Sequence, residues 1–128
     1  MSEPQAAKRV LVVDDEATVR FLLSRVLAHA GYAVEVATDG ESALERIQAS
    51  RPDLVVLDLM MPGLDGWGVM ERLKQSASPP PVLVVSAHGD SDTPRRAVEA
   101  GAAGYMTKPF ALRALVETCE RIIDATAG

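Results

Sequence analysis

Leu54-Val55-Val56-Leu57-Asp58-Leu59-Met60-Met61-Pro62-Gly63 is the stretch on which the fold of this chain turns. Four branched apolar residues in succession, without alternation, suit a strand covered on both faces, as in a parallel sheet. The run stops at a carboxylate, and Pro62-Gly63 marks the loop beyond it. Asp58 therefore stands at the C-terminal end of a buried strand, where open α/β sheets place their ligands. Taken alone, Asp58 reads equally well as a turn cap, so the rest of the chain has to decide.

On the N-terminal side, a polar leader of residues 1–7 precedes Val10-Leu11-Val12-Val13, a short apolar strand that stops at Asp14-Asp15-Glu16. Val19, Leu22, Leu23, Val26, Leu27 and Ala30 then recur at helical spacing, with Gly31 as the C-terminal stop and His29 placed to compensate the helix dipole. Val34-Glu35-Val36-Ala37 alternates like a half-exposed strand. Thr38-Asp39-Gly40-Glu41 has the Ser/Thr-x-x-Glu form of a capping box, which predicts a helix through Ala43, Leu44 and Ile47, closed by Arg51-Pro52.

On the C-terminal side, Asp65 is placed to cap a third helix carrying Trp67, Met70 and Leu73. Gly68 within that helix costs about 1 kcal/mol against alanine, which softens the predicted start. Ser78-Pro79-Pro80-Pro81 is an extended linker leading into a fourth strand, Val82-Leu83-Val84-Val85, which ends at Ser86. Pro94 fits the first turn of a short helix stopped by Gly101. Gly104-Tyr105-Met106 is a brief fifth strand ending at Thr107-Lys108-Pro109. Leu112, Leu115, Val116, Cys119, Ile122 and Ile123 then form one stripe of a last helix, ahead of a fraying tail from Asp124 to Gly128. Five β-α alternations with short connections predict a three-layer flavodoxin-like (βα)5 fold. Its five parallel strands run in the order 2-1-3-4-5, with the crevice between strands 1 and 3.

The composition agrees with one domain: 128 residues, 48% hydrophobic and 24% charged. A formal net charge of -5 argues against direct contact with nucleic acid. The single cysteine excludes an internal disulfide, gives no zinc-ligand spacing, and lies on a core stripe. No apolar run approaches membrane-spanning length and the N-terminus has no apolar signal core, so a cytoplasmic location is expected.

In this topology Asp14, Asp15, Asp58, Ser86 and Lys108 all fall at the C-terminal ends of strands, and in a parallel sheet those ends share one edge. Each has a plain alternative reading: a helix cap for Asp14 and Asp15, a loop cap for Ser86, a solvated charge for Lys108. Five coincidences on one rim favour a site. Three carboxylates there repel, each charged pair costing on the order of 3 kcal/mol at about 5 Å and an effective dielectric near 20. Such a site raises a carboxylate pKa or recruits a cation, and oxygen-only ligands fit Mg²⁺ better than zinc or copper. A carboxylate beside a metal, a lysine and a hydroxyl is a phosphoryl-acceptor constellation.

Val12-Val13-Asp14-Asp15-Glu16, Leu57-Asp58-Leu59-Met60-Met61-Pro62-Gly63-Leu64-Asp65-Gly66, Val85-Ser86-Ala87 and Lys108-Pro109-Phe110 together resemble the motifs of the receiver domain of bacterial two-component response regulators. The resemblance covers Lys8 to Ile123, within a domain predicted over residues 8–124 and followed by a 125–128 tail. It implies a phosphoacceptor signalling domain that catalyses only its own phosphorylation and dephosphorylation. Asp58 would take the phosphoryl group from a sensor histidine kinase or a histidine phosphotransfer protein. It implies Mg²⁺ held by Asp15, Asp58 and the Met60 backbone carbonyl, with Asp14 acting through water. Lys108 would contact the phosphoryl group, and Ser86 with Tyr105 would switch the surface of helix 4, strand 5 and helix 5 toward an effector domain or protein. A cis peptide before Pro109 is also implied. Met60 and His88 fall at the family's variable positions beside the phosphoryl group, where they would tune rates; for His88 the plainer reading is a solvated loop histidine. Gly104 stands where one transcription-factor branch often carries an acidic residue, which puts that branch's ion-paired dimer face in doubt, while a phosphorylation-dependent homodimer stays compatible with the chain.

Three other readings compete. A haloacid-dehalogenase-like phosphatase wants a second aspartate two residues after its nucleophile, where this chain has Met60, and places the nucleophile after the first strand. A flavin-binding module needs a Ser/Thr/Gly-rich phosphate loop, whereas Asp14-Asp15-Glu16 would repel phosphate. A receiver-like module that is never phosphorylated would lack site residues that are all present here.

Overall fold

The computed structural model describes residues 7–87 and 92–127. The leader expected over 1–7 falls, except for its last residue, outside the described residues, as does His88. The elements follow in the order β1 (Arg9–Val13), α1 (Ala17–His29), β2 (Ala33–Ala37), α2 (Gly40–Ser50), β3 (Leu54–Asp58), α3 (Gly66–Lys74), β4 (Val82–Ser86), α4 (Thr93–Glu99), β5 (Gly104–Thr107) and α5 (Leu112–Ala127). All strand pairs are parallel, and the sheet order is β2-β1-β3-β4-β5. This is the flavodoxin-like arrangement that the alternation predicts.

Strand pleating splits the core into two layers, because successive side chains point to opposite faces. Leu11, Val13, Val55, Leu57, Val82 and Val84 pack with Ala43, Ile47, Val69, Met70, Leu73 and Ala97 from α2, α3 and α4. Val10, Val12, Leu54, Val56, Leu83 and Val85 pack with Leu23, Leu27, Leu115, Cys119, Ile122 and Ile123 from α1 and α5. Both faces of β3 and β4 are covered along their whole length, which is why neither strand alternates in sequence. Burial, with the neighbouring Glu120 charge, pushes the Cys119 thiol up to about 12, so it behaves as a small apolar core residue.

Three local expectations are corrected. The cap of α2 is Asp39, whose carboxylate accepts from the Ser42 N–H at 2.8 Å, while the Thr38 hydroxyl turns to Asp39. Asp is as good a cap as Thr, and the helix starts one residue later than the box places it. Leu22 and Leu112 lie on their predicted stripes yet remain 46% and 39% exposed, because each sits at the margin of the sheet-facing arc. Residues 124 to 127 continue α5 rather than fraying, and Thr126 bonds back to Ile122 and Ile123.

Gly66 matters most for the site. Its N–H donates to the Leu59 carbonyl at 3.0 Å, and a Cβ on it would lie 2.6 Å from both the Asp58 carbonyl oxygen and the Leu59 Cα. The start of α3 is thus pressed against the backbone that carries Asp58. A methyl group at this point has rigid backbone to displace, so Gly66→Ala should lower unfolding stability by about 2 kcal/mol in urea titrations. A variant as stable as the parent would show that the loop yields freely.

Candidate functional site

The C-terminal ends of β1, β3, β4 and β5 converge as the topology requires. Asp58, the last residue of β3, is only 3% exposed, and Asp14, one residue past β1, only 1%. Asp15, next along, is exposed. Carboxylate oxygens of Asp14, Asp15 and Asp58 lie within 4.8 Å of one another. An all-oxygen donor set with one member open to water fits a hard divalent cation such as Mg²⁺.

Lys108 enters from the β5–α5 loop, where the Lys108–Pro109 peptide is cis. Its N–H donates to the Ser86 carbonyl at 2.7 Å, tying that loop to the end of β4. Its ammonium bonds Asp14 Oδ2 at 2.8 Å and lies 3.8 Å from Asp58 Oδ2. Burial pulls the ammonium down, but the Asp14 hydrogen bond and the charges of Asp14, Asp58 and Glu16 outweigh it, so its pKa is raised and the charge is secure. Asp58 moves the other way from an ordinary carboxylate: burial and the Asp14 charge push it up to about 6, against the opposing pull of Lys108 and the Met60 N–H.

Ser86, at the end of β4, is buried, and its register partner in β5 is Thr107. Val84 pairs with Tyr105 in the same register, so Ser86, Val84, Tyr105 and Thr107 share one face of the sheet. Tyr105 is half-buried against the layer formed by α2, α3 and α4. Met60 is 67% exposed beside Asp58 and gives its N–H to Asp58 Oδ1 at 3.3 Å. A surface groove lined by Arg51, Asp53 and Pro79 to Pro81 among others opens at the opposite edge of the sheet and shares no residue with this cluster.

One residue of the site escapes the strand-end pattern. The Arg20 guanidinium, on α1, donates to the Asp14 carbonyl at 2.7 Å. Its position one turn into a helix that follows an acidic loop is the signal that could have found it, because helical Cα–Cβ bonds tilt back toward the N-terminus.

A doubly wound (βα)5 domain with a lysine and three aspartates on its β1/β3 rim defines the receiver class of signalling domains. Residues 10–120 match the family model described as the response regulator receiver domain, and the chain belongs to that family. Response regulator MprA of Mycolicibacterium vanbaalenii is 43% identical over 118 residues, covering 92% of this chain and 51% of that protein. The chain spans about half the length of the curated relatives it matches. Among solved structures, a putative response regulator from Chloroflexus aurantiacus is 36% identical with a TM-score of 0.87, covering 93% of this chain and 99% of that one. The signal receiver domain of a putative Luxo repressor protein from Vibrio parahaemolyticus is 26% identical with a TM-score of 0.89, covering 94% and 92%. Receiver domains of this family serve two-component signalling, working with histidine kinases and output domains. Among the described residues no helix is long and apolar enough to cross a membrane.

A folded-state pKa near 6 for Asp58, above its ordinary 3.8, means that the native state binds the proton more tightly than the unfolded chain. The stability so gained is complete below pH 3.8 and is lost as pH rises through 6. Without divalent cations, Asp58→Asn should therefore be more stable than the parent at pH 7.5, by about 3 kcal/mol, with the gap closing near pH 4. Denaturant titrations at the two pH values check this; a gap independent of pH would mean that the carboxylate is not held in a repulsive site.

Proposed function

We propose that Asp58 is the phosphoacceptor of this domain, taking a phosphoryl group from a phosphohistidine on a sensor kinase or phosphotransfer protein. The observation that carries the reading is the placement of one buried carboxylate, Asp58, at the end of β3. An ammonium lies 3.8 Å away, and two further carboxylates stand close enough to share a cation. An Asp58 oxygen attacks phosphorus, the O–P bond forms as the N–P bond to the donor histidine breaks, and the imidazole leaves. Lys108 is the group positioned to stabilise charge on the transferred oxygens. Asp15 and Asp58, with the Met60 carbonyl, would hold Mg²⁺, and Asp14 would act through water; when bound, the ion neutralises charge on the phosphoryl oxygens. Mobilising Lys108 toward the new anion means loosening its 2.8 Å bond to Asp14.

The readout in this proposal runs through Ser86 and Tyr105. A phosphoryl group offers strong acceptor oxygens, and the Ser86 hydroxyl can donate to one of them. Moving that hydroxyl inward vacates space on the face it shares with Tyr105. The ring then fills the space, and the surface of α4, β5 and α5 changes toward an effector domain or partner. In the described part of the molecule α4 is the lightly anchored element: it buries Thr93 and Ala97 and leaves Val98 65% exposed.

Incubation with Mg²⁺ and acetyl phosphate should add one phosphoryl group by intact mass, and Asp58→Asn should remove the adduct. An adduct that persists on the Asn variant assigns the acceptor to another carboxylate. Millimolar Mg²⁺ should raise the melting temperature of the parent, since it binds the native rim and not the unfolded chain, and Asp15→Asn should abolish most of that rise. Ser86→Ala should still accept phosphate, yet lose most of the amide shifts that beryllofluoride induces between residues 92 and 115. Full shifts in that variant would route the readout elsewhere.

A further inference from the structure

α1 opens without a side-chain cap at Glu16 and without an acidic residue in its first turn. The turn of residues 14–16 that carries two of the three site carboxylates is therefore held by other bonds. The Asp14 N–H continues the sheet ladder to the Ala37 carbonyl at 3.3 Å, and the Glu16 N–H closes on Asp14 Oδ1 at 2.9 Å. The Arg20 guanidinium takes the Asp14 carbonyl at 2.7 Å, in a part-buried setting. That carbonyl belongs to the peptide joining Asp14 to Asp15. Holding its plane sets ψ of Asp14 and φ of Asp15, and so the direction in which the Asp15 carboxylate leaves the backbone.

We propose that Arg20 is a positioning residue of the acidic site. Through the Asp14 carbonyl it holds the Asp14-Asp15 turn in the shape that aims Asp15 at Asp58, so that the two can share a divalent cation. The inference rests on the reading of this rim as an Mg²⁺ site. Two effects of Arg20 oppose each other there. Its positive charge, brought to the backbone of the acidic turn, disfavours a second cation there, and removing that charge alone would tighten Mg²⁺ binding. Its hydrogen bond preorganises the ligands, and removing that bond weakens Mg²⁺ binding. The guanidinium is part-buried but at the rim, where water screens its charge, whereas a bond to a backbone carbonyl is made only at contact distance. Preorganisation therefore wins, and the two effects predict shifts of opposite sign.

The test titrates Mg²⁺ into the whole chain by calorimetry, for the parent and for Arg20→Ala, Arg20→Gln and Arg20→Lys. Loss of a residue that orients a metal ligand should weaken Mg²⁺ by about tenfold in the Ala variant, and the Gln variant, uncharged and too short to reach, should behave alike. Lysine keeps the charge and one donor on a long stem, so Arg20→Lys should return to within about threefold of the parent. A residue that merely stabilised α1 would lower the melting temperature and leave the Mg²⁺ affinity of the folded protein unchanged. That result, or tighter binding in the Ala and Gln variants, would overturn the proposal. Amide exchange without metal gives an independent measure: the Glu16 amide, whose N–H bonds Asp14 Oδ1, should exchange about tenfold faster in Arg20→Gln than in the parent. If the parent itself binds no Mg²⁺, the metal reading fails, and unchanged exchange at the Glu16 amide then overturns the positioning role as well.

Discussion

The Lys108 ammonium lies 2.8 Å from one buried carboxylate and 3.8 Å from another, with a third, exposed carboxylate beside them. One positive charge among three negative ones leaves an excess that the interior cannot screen. At about 4 Å and an effective dielectric near 20, a single charge pair is worth about 4 kcal/mol, so Lys108 balances its nearer partner and leaves the rest exposed to repulsion. Burial first, and the Asp14 charge after it, raise the Asp58 pKa to about 6. The rim is therefore unsettled when empty and gains from any cation that relieves it. Nearly every feature of the surrounding fold keeps Lys108 in this place. The Lys108 N–H bonds the Ser86 carbonyl and docks the loop on β4. Parallel pairing brings both strand ends to the same edge.

Holding like charges together needs a rigid mount. β3 supplies it by being covered on both faces, so that the backbone ending at Asp58 has no freedom to relax outward. Gly66 closes the far side, with room for a hydrogen and not for a methyl. The opposite mechanical character appears at α4. Its Arg96 guanidinium stacks over the Trp67 ring at 4.5 Å, an interaction of about 1 kcal/mol at a half-exposed site, and only Thr93 and Ala97 of the helix are buried. A stiff acceptor strand beside a lightly held helix is the combination in which a local change of charge has somewhere to act.

The strands were legible because a doubly covered strand leaves an unmistakable trace: Val82 to Val85 and Leu54 to Leu57 are uninterrupted apolar runs, each stopped by a polar residue. Those stops were also the site, so Asp14, Asp58, Ser86 and Lys108 came from the same pattern. What stayed hidden depends on distances of a single residue or on side chains that double back. Thr38 and Asp39 are both good caps one position apart, and only the backbone conformation chooses between them. Leu22 and Leu112 have the right period, but period says nothing of how wide an arc the sheet covers. Arg20 reaches six residues back across a chain reversal, a link with no periodic trace. The need for glycine at position 66 arises from the backbone of a different element, so no local pattern announces it.

Asp14 and Asp15 are neighbours of identical chemistry, and the fold gives them different work. Asp14 still belongs to the sheet: its N–H extends the β1–β2 ladder, its carbonyl accepts from Arg20, and its two carboxylate oxygens accept from Glu16 and Lys108. Its backbone and side chain are thus all engaged, which fixes the carboxylate in place. Asp15 is the first residue off the sheet and is exposed, so its carboxylate can turn to a cation without breaking that set of bonds. The step from sheet to loop between two adjacent residues thus separates a fixed, buried carboxylate from an exposed one. The peptide joining them, held by Arg20, is the hinge on which that division depends.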